Sequence, residues 1–250
     1  MKTSTIIITV IGIITVIFLA FAGLAGISYN FFTNNIGTNT KIVSKSLTVN
    51  SFDKIEFDYY GSVKIKKGNE SKVEIEDYEN KIDKLDVQTK NGILTIRTSL
   101  RHVNFGNSRA SFVITTPAEL SELTIRGGGN IIFADNFDSL KSVNLFGAGD
   151  IESQKPGAYD KLSTNIAGAG KIKLDGTANS VDANIEGVGS LELGKLKAQN
   201  VNVSISGAGS AVVDVIQSLN AKVSGTGSIL YSGDPVVTRD ISGLGSIKKK

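Results

Sequence analysis

Along the second half of the chain, apolar and small residues recur in one phrase: aliphatic, any, Gly, any, Gly, any, aliphatic. Ile205-Ser206-Gly207-Ala208-Gly209-Ser210-Ala211 shows it cleanly. Seven Gly-x-Gly cores begin at Gly127, Gly147, Gly168, Gly187, Gly207, Gly225 and Gly243, with spacings of 20, 21, 19, 20, 18 and 18 residues. A period of that length marks a stacked repeat. Two residues before each core stand Ile125, Leu145, Ile166, Ile185, Ile205, Val223 and Ile241, and two residues after it stand Ile131, Ile151, Ile172, Leu191, Ala211, Ile229 and Ile247. In extended chain, alternate side chains face the same side, so this parity turns the aliphatics and both glycines inward. A glycine there removes Cβ where it would crowd the core and opens φ values closed to other residues. The phrase predicts strand, corner, strand. Short strands repeated every twenty residues satisfy their edges by pairing with the next copy, which makes the fold class all-β, a parallel β-helix or β-solenoid with coils of about 18–21 residues. Propeller blades need about 40 residues, and the leucine and asparagine signature of leucine-rich repeats is missing.

Residues 47–116 alternate less regularly and carry more charge. Ile55-Glu56-Phe57, Val63-Lys64-Ile65 and Val73-Glu74-Ile75-Glu76 read as strands, and Asn91-Gly92 before Ile93-Leu94-Thr95-Ile96 reads as a hairpin turn. This stretch is expected to be a divergent, capping start of the solenoid. Residues 101–111 break the rhythm as a surface loop, and Pro117 stops the strand Phe112-Val113-Ile114-Thr115-Thr116.

Residues 6–27 are an uncharged, apolar run of 22, preceded by Lys2. At 1.5 Å per residue it covers roughly 33 Å, enough to cross a hydrocarbon core. Two readings stay open: a single-pass membrane anchor, and a signal peptide cut near Ala20-Phe21-Ala22. Both export the rest of the chain, to the outer side of the cytoplasmic membrane or, after cleavage, to the periplasm or medium. The expected organisation is an anchor or signal at 1–28, a linker at 29–46 and the β-helix domain at 47–250.

Composition changes this picture little. With 27 glycines, 3 prolines and a net charge of +3, the chain has the makings of a corner-rich repeat and no basic face for nucleic acid. No cysteine means no disulfide, thiolate catalysis or lipoprotein anchor.

The string Ile241-Ser242-Gly243-Leu244-Gly245-Ser246-Ile247-Lys248, the preceding Tyr231-Ser232-Gly233-Asp234-Pro235, the opening Phe52-Asp53-Lys54-Ile55 and the Thr115-Thr116-Pro117 step together resemble the auto-transporter adhesin "head GIN" domain family. The resemblance runs from about residue 52 to residue 250. It implies a right-handed parallel β-helix, export from a bacterial cell and an adhesive role, and it supplies no catalytic or binding residues to carry over.

Searched for chemistry, the chain offers little. A dinucleotide fingerprint needs a third glycine where Glu152, Lys173, Glu192 and Val212 stand, so the glycine pairs are corners. Gly147-Ala148-Gly149-Asp150 resembles calcium β-roll turns, but those repeat every nine residues and keep the aspartate, which becomes Lys171 and then Ser190 here. His102 is the one histidine, too few for a triad or a histidine metal cluster. Asp135 with Asp138 and Glu74 with Glu76 read as solvated positions rather than acid–base pairs. No cofactor, metal or catalytic residue is expected.

What remains is the outer surface. Ser206, Ser224 and Ser242 stand before the first glycine, and Ser190, Ser210, Ser228 and Ser246 after the second. Coils stacked in register make these two hydroxyl rows with steps of about 4.8 Å, able to face a glycan or protein. They serve equally as small residues suited to tight corners. The expected function is non-catalytic adhesion to an extracellular glycan or protein. A structural or sensory envelope element acting with a membrane partner is the alternative, and a polysaccharide-degrading enzyme the third. A cleft with converging carboxylates would favour the enzyme. Lys248 to Lys250 serve as a charged stop to the last coil.

Overall fold

Each Gly-x-Gly core joins two strands that pair in parallel, and in register, with the same strands one repeat away. The computed structural model describes residues 41–98 and 109–250. They carry β1 (Ile42–Thr48), β2 (Lys54–Asp58), β3 (Tyr60–Lys67), β4 (Lys72–Tyr78), β5 (Leu85–Lys90), β6 (Ile93–Thr98) and β7 (Ser111–Thr116) in the first half. The repeat region carries β8 (Glu122–Ile125), β9 (Gly128–Phe133), β10 (Ser142–Leu145), β11 (Ala148–Ser153) and β12 (Gly157–Lys173). It continues with β13 (Gly176–Gly207), β14 (Ser210–Gly225), β15 (Ser228–Ser232), β16 (Val236–Gly243) and β17 (Ser246–Lys249). β12 and β13 run through the corners at Gly168 and Gly187 in continuous register with each other. The architecture is the expected β-solenoid.

Two inward rows form the core on either side of the corner. Before it, register links Ile96, Phe57, Ile125, Leu145, Ile166 and Ile185, and further along Ile205, Val223 and Ile241. After it, the row runs Phe112, Val63, Ile131, Ile151, Ile172, Leu191, Ala211, Ile229 and Ile247. All are buried except Ile241, which is 45% exposed on the last coil. Burying each isoleucine or leucine contributes about 1.5–3 kcal/mol, and a regular stack repeats that gain at every step.

The glycines divide the work differently from the parity expectation. Gly209 does face inward: a Cβ there would lie 2.7 Å from Ile185 Cγ2. Gly207 does not. Its φ of +130° turns the corner, and a Cβ would lie 2.5 Å from the Gly187 carbonyl oxygen of the adjacent coil. From Gly187 onward the first glycine therefore lets one backbone approach the next and the second vacates core space, whereas in the first two repeats the second glycine, Gly129 or Gly149, takes the positive φ and lies against backbone.

The first half caps the stack, but not by preceding it. β2 and β3 pair with β8 and β9 on one side and with β6 and β7 on the other, all in parallel. The coil made of β6 and β7 thus lies below β2 and β3 although it follows them in sequence. Antiparallel strands complete this end: β5 pairs with β6 through a turn with positive φ at both Asn91 (52°) and Gly92 (77°), as a type I′ hairpin requires. β4 pairs with β7, and β1 with β4. β1 starts at Ile42, inside the stretch expected to be linker. Within the cap Phe112 packs edge-on against Phe57 and Tyr59, and the Tyr59 hydroxyl donates to the buried Asp77 carboxylate at 3.0 Å.

The anchor or signal at 6–27, most of the expected loop at 101–111 and His102 lie outside the described residues. Among the described residues no helix is long and apolar enough to cross a membrane.

Buried phenols give the stack an alkaline limit. Burial, then the Asp138 and Asp175 charges, push Tyr159 up to about 12, and burial followed by Asp77 raises Tyr59 as well. A raised folded-state value means the unfolded chain releases its proton first, so the stabilisation is complete below pH 10 and is lost as pH climbs towards 12. For Tyr159 the loss is about 2–3 kcal/mol. Melting temperatures from pH 9 to 12 should fall more steeply in the native chain than in Tyr159→Phe; equal slopes would refute the assignment.

Candidate binding surface

The residues between the two glycines, and those flanking them, project from the corner as outward rows. Ser206 aligns with Ser224 and Ser224 with Ser242, while Ser190 aligns with Ser210, Ser210 with Ser228 and Ser228 with Ser246. The two expected rows therefore exist, and the Ser210 hydroxyl donates to Ser190 Oγ at 3.2 Å. Between them Val188 and Leu244 stand 64% and 89% exposed. Towards the N-terminal coils, the row after the second glycine continues through Lys171, Asp150 and Asn130 to Ser62. The row is polar throughout, while its charge changes from rung to rung.

A third row was not singled out in the sequence. Asn165 Nδ2 donates to Asn144 Oδ1 at 2.7 Å, Asn184 Nδ2 to Asn165 Oδ1 at 3.1 Å, and Asn144 Nδ2 to Thr124 Oγ1 at 3.3 Å. The signal was present: each of these residues stands three before the first glycine of its repeat. Such amide chains, buried at Thr124 and Asn144 and more open at Asn184, tie neighbouring rungs together.

Three of the four acidic residues weighed as acid–base pairs, Asp135, Asp138 and Glu74, have local partners. Asp135 accepts from Lys155 Nζ at 2.5 Å and from the Lys67 N–H at 3.0 Å, and Lys155 holds its carboxyl below the usual range. Asp138 accepts the Ala158 N–H at 2.9 Å, and Glu74 pairs with Lys72 at 3.1 Å. Lys173 likewise depresses Glu152. Exposed pairs of this kind contribute at most about 1 kcal/mol each, so they read as rung-to-rung links. No group of three or more metal-ligating side chains occurs among the described residues. At the chain end Lys249 pairs with Asp234 at 2.5 Å.

On the face leading into the first strand of each coil lies a groove of about 770 Å³, within the range of ligand sites. Asp53, Ser121, Lys141, Asp160, Lys161 and Asp182 line it, above the buried Leu140 and Leu162. Sequence reading missed it because its residues come from segments between the Gly-x-Gly phrases, whose lengths vary.

An aligned stack of parallel coils, with polar rows outside and aliphatic rows inside, defines a β-solenoid protein. Residues 51–235 match the family model described as "Putative auto-transporter adhesin, head GIN domain", and the chain belongs to that family. A "putative adhesin" from Bacteroides fragilis is 26% identical over 84% of this chain and 97% of its own, with a TM-score of 0.77. A "putative adhesin" from Parabacteroides merdae is 22% identical (85% and 97% covered, TM-score 0.65). A "putative lipid binding protein" from Parabacteroides distasonis is 23% identical (85% and 98% covered, TM-score 0.62). These last two share the fold. No curated protein matches the chain.

Proposed function

We propose that this protein is an exported, non-catalytic adhesin of the cell surface or envelope that holds a glycan or protein against the outer face of its solenoid. The observation that carries this is the strip of Ser190, Ser206, Ser210, Ser224, Ser228, Ser242 and Ser246, aligned rung by rung on a glycine corner. Hydroxyls donate and accept, and a β-solenoid presents them at fixed intervals without an ordering cost on binding. The family and the Bacteroides fragilis neighbour support the adhesive role. Export and membrane attachment rest on residues 6–27.

The groove carboxylates do not argue for catalysis, because they are spread along the axis and four of the five, Asp53, Glu119, Asp160 and Asp182, are held by side-chain donors of Ser121, Lys67, Asn179 and Asn202 from other coils. Glycosidic cleavage needs two carboxyls facing each other across one bond. The test is retention of the full chain, in mild detergent, on a panel of immobilised glycans and extracellular proteins, with a Ser206→Ala/Ser224→Ala variant beside it. Saturable retention that the variant loses supports the strip. A silent panel, or shortening of any polysaccharide in it, overturns the non-catalytic adhesin.

A further inference from the structure

The groove on the strand-entry face carries more information than its size. Backbone hydrogen bonds run from the Ser121 N–H to Asp53 O, from the Lys141 N–H to Ser121 O and from the Ser163 N–H to Lys141 O, and Ser163 aligns with Asp182. The groove therefore crosses five successive rungs, roughly 19 Å at the inter-strand spacing. It runs along the solenoid axis.

Its acceptors are set by neighbouring coils. Asp53 Oδ2 accepts from Ser121 Oγ at 2.7 Å, Asp160 Oδ1 from Asn179 Nδ2 at 2.9 Å, and Asp182 Oδ1 from Asn202 Nδ2 at 2.8 Å. Each carboxylate is thereby oriented, with its other oxygen left without a hydrogen bond among the described residues. Lys141 and Lys161 form no ion pair among the described residues, which leaves two sets of donors between these acceptors. Asp160 also borders a second hollow of about 480 Å³, lined by Tyr159, Asn179, Lys197 and Gln199. Tyr159 is 5% exposed, and its phenol has no hydrogen-bond partner among the described residues. The second hollow opens where β13 and β14 lose register between Leu193 and Lys197. Irregularities of this kind re-aim side chains.

We infer that the two hollows form one axial binding groove for an uncharged glycan chain. This rests on the adhesive role proposed above and names its ligand class. A polyhydroxyl chain donates to the carboxylates and accepts from lysine, amide and phenol groups along the same face. Asp53, Glu119, Asp138, Asp160 and Asp182 around the first hollow disfavour a polyanion, including nucleic acid and acidic polysaccharide. An apolar peptide finds little to cover, since Leu140 and Leu162 lie buried beneath the polar walls and Ile216, 39% exposed in the second hollow, is a single apolar contact.

Affinity electrophoresis of the full chain through gels containing dextran, laminarin or mannan, and through gels containing alginate, tests this. At least one neutral polysaccharide should retard the chain and alginate should not. Asp160→Ala and Lys141→Ala should each weaken that retardation about tenfold, and Lys222→Ala, an exposed lysine outside both hollows, should leave it unchanged. No retardation by any neutral polysaccharide, retardation by alginate alone, or groove variants equal to the native chain would overturn the inference. Beads coated with the same chain and applied to extracellular protein surfaces separate the two proposals. Adhesion there without neutral-glycan binding sinks the groove and keeps the adhesin, and failure of both sinks both.

Discussion

Gly207→Val is expected to destabilise the domain by about 3–5 kcal/mol, a fall in melting temperature of about 10 °C for a unit of this size. Two causes add at this position. Valine is excluded from a φ of +130°, and its Cβ would meet the Gly187 carbonyl at 2.5 Å. Neither backbone can retreat without breaking pairing on its other side. Gly209→Val should cost a similar amount for a different reason, since its Cβ would collide with the Ile185 side chain, 2.7 Å away. The two alanine variants separate these causes. Gly209→Ala meets chiefly a side-chain methyl, with the Gly189 carbonyl at 3.0 Å, whereas Gly207→Ala keeps the full backbone conflict. Thermal unfolding of the four variants checks this, and a Gly207→Ala as stable as Gly209→Ala would contradict the division of roles.

The second large effect lies in the cap. Phe112→Ala removes a ring that is 1% exposed and packed at 5.1 Å, edge-on, against Phe57. Truncating a buried phenylalanine costs about 3–5 kcal/mol. Because β7 pairs with both β3 and β4, the lost contacts loosen the cap before the repeat coils. Hydrogen exchange should show protection lost first in β4 and β7, with β13 and β14 least affected. Uniform loss across all coils would show instead that the cap and the repeats unfold as one unit.

The repeat coils were legible in the sequence because their evidence is periodic. Ile185, Leu191 and the glycines between them fix a strand, a corner and a second strand, and each copy confirms the last. The serine rows were legible for the same reason, since Ser210 and Ser228 occupy one slot of the phrase. The inward assignment of Gly207 was not, because parity counts side chains and assumes extended backbone up to the corner, where φ reverses. The cap's order was also hidden. That Phe57 sits between Ile96 and Ile125 depends on pairing between segments far apart in the chain, which no local pattern records. The groove escaped notice because Asp160 and Lys141 belong to the variable segments and acquire a common face only when the coils stack.

The central claim is one continuous stack whose outward rows stay aligned from the cap to the late coils. Ser62, Asn130, Asp150, Lys171, Ser190, Ser210 and Ser228 form a single row by pairwise register. The chain has no cysteine, so a Ser62→Cys/Ser228→Cys double variant can be spin-labelled at those two sites alone. Six steps of about 4.8 Å place the labels roughly 29 Å apart, plus the reach of the labels themselves. Pulsed electron–electron double resonance should give one narrow distribution near that distance. A peak near 40 Å, the separation expected if the chain from Ser62 to Asn130 wound on in sequence order as coils of about 20 residues and so took between three and four steps instead of one, would contradict the stack.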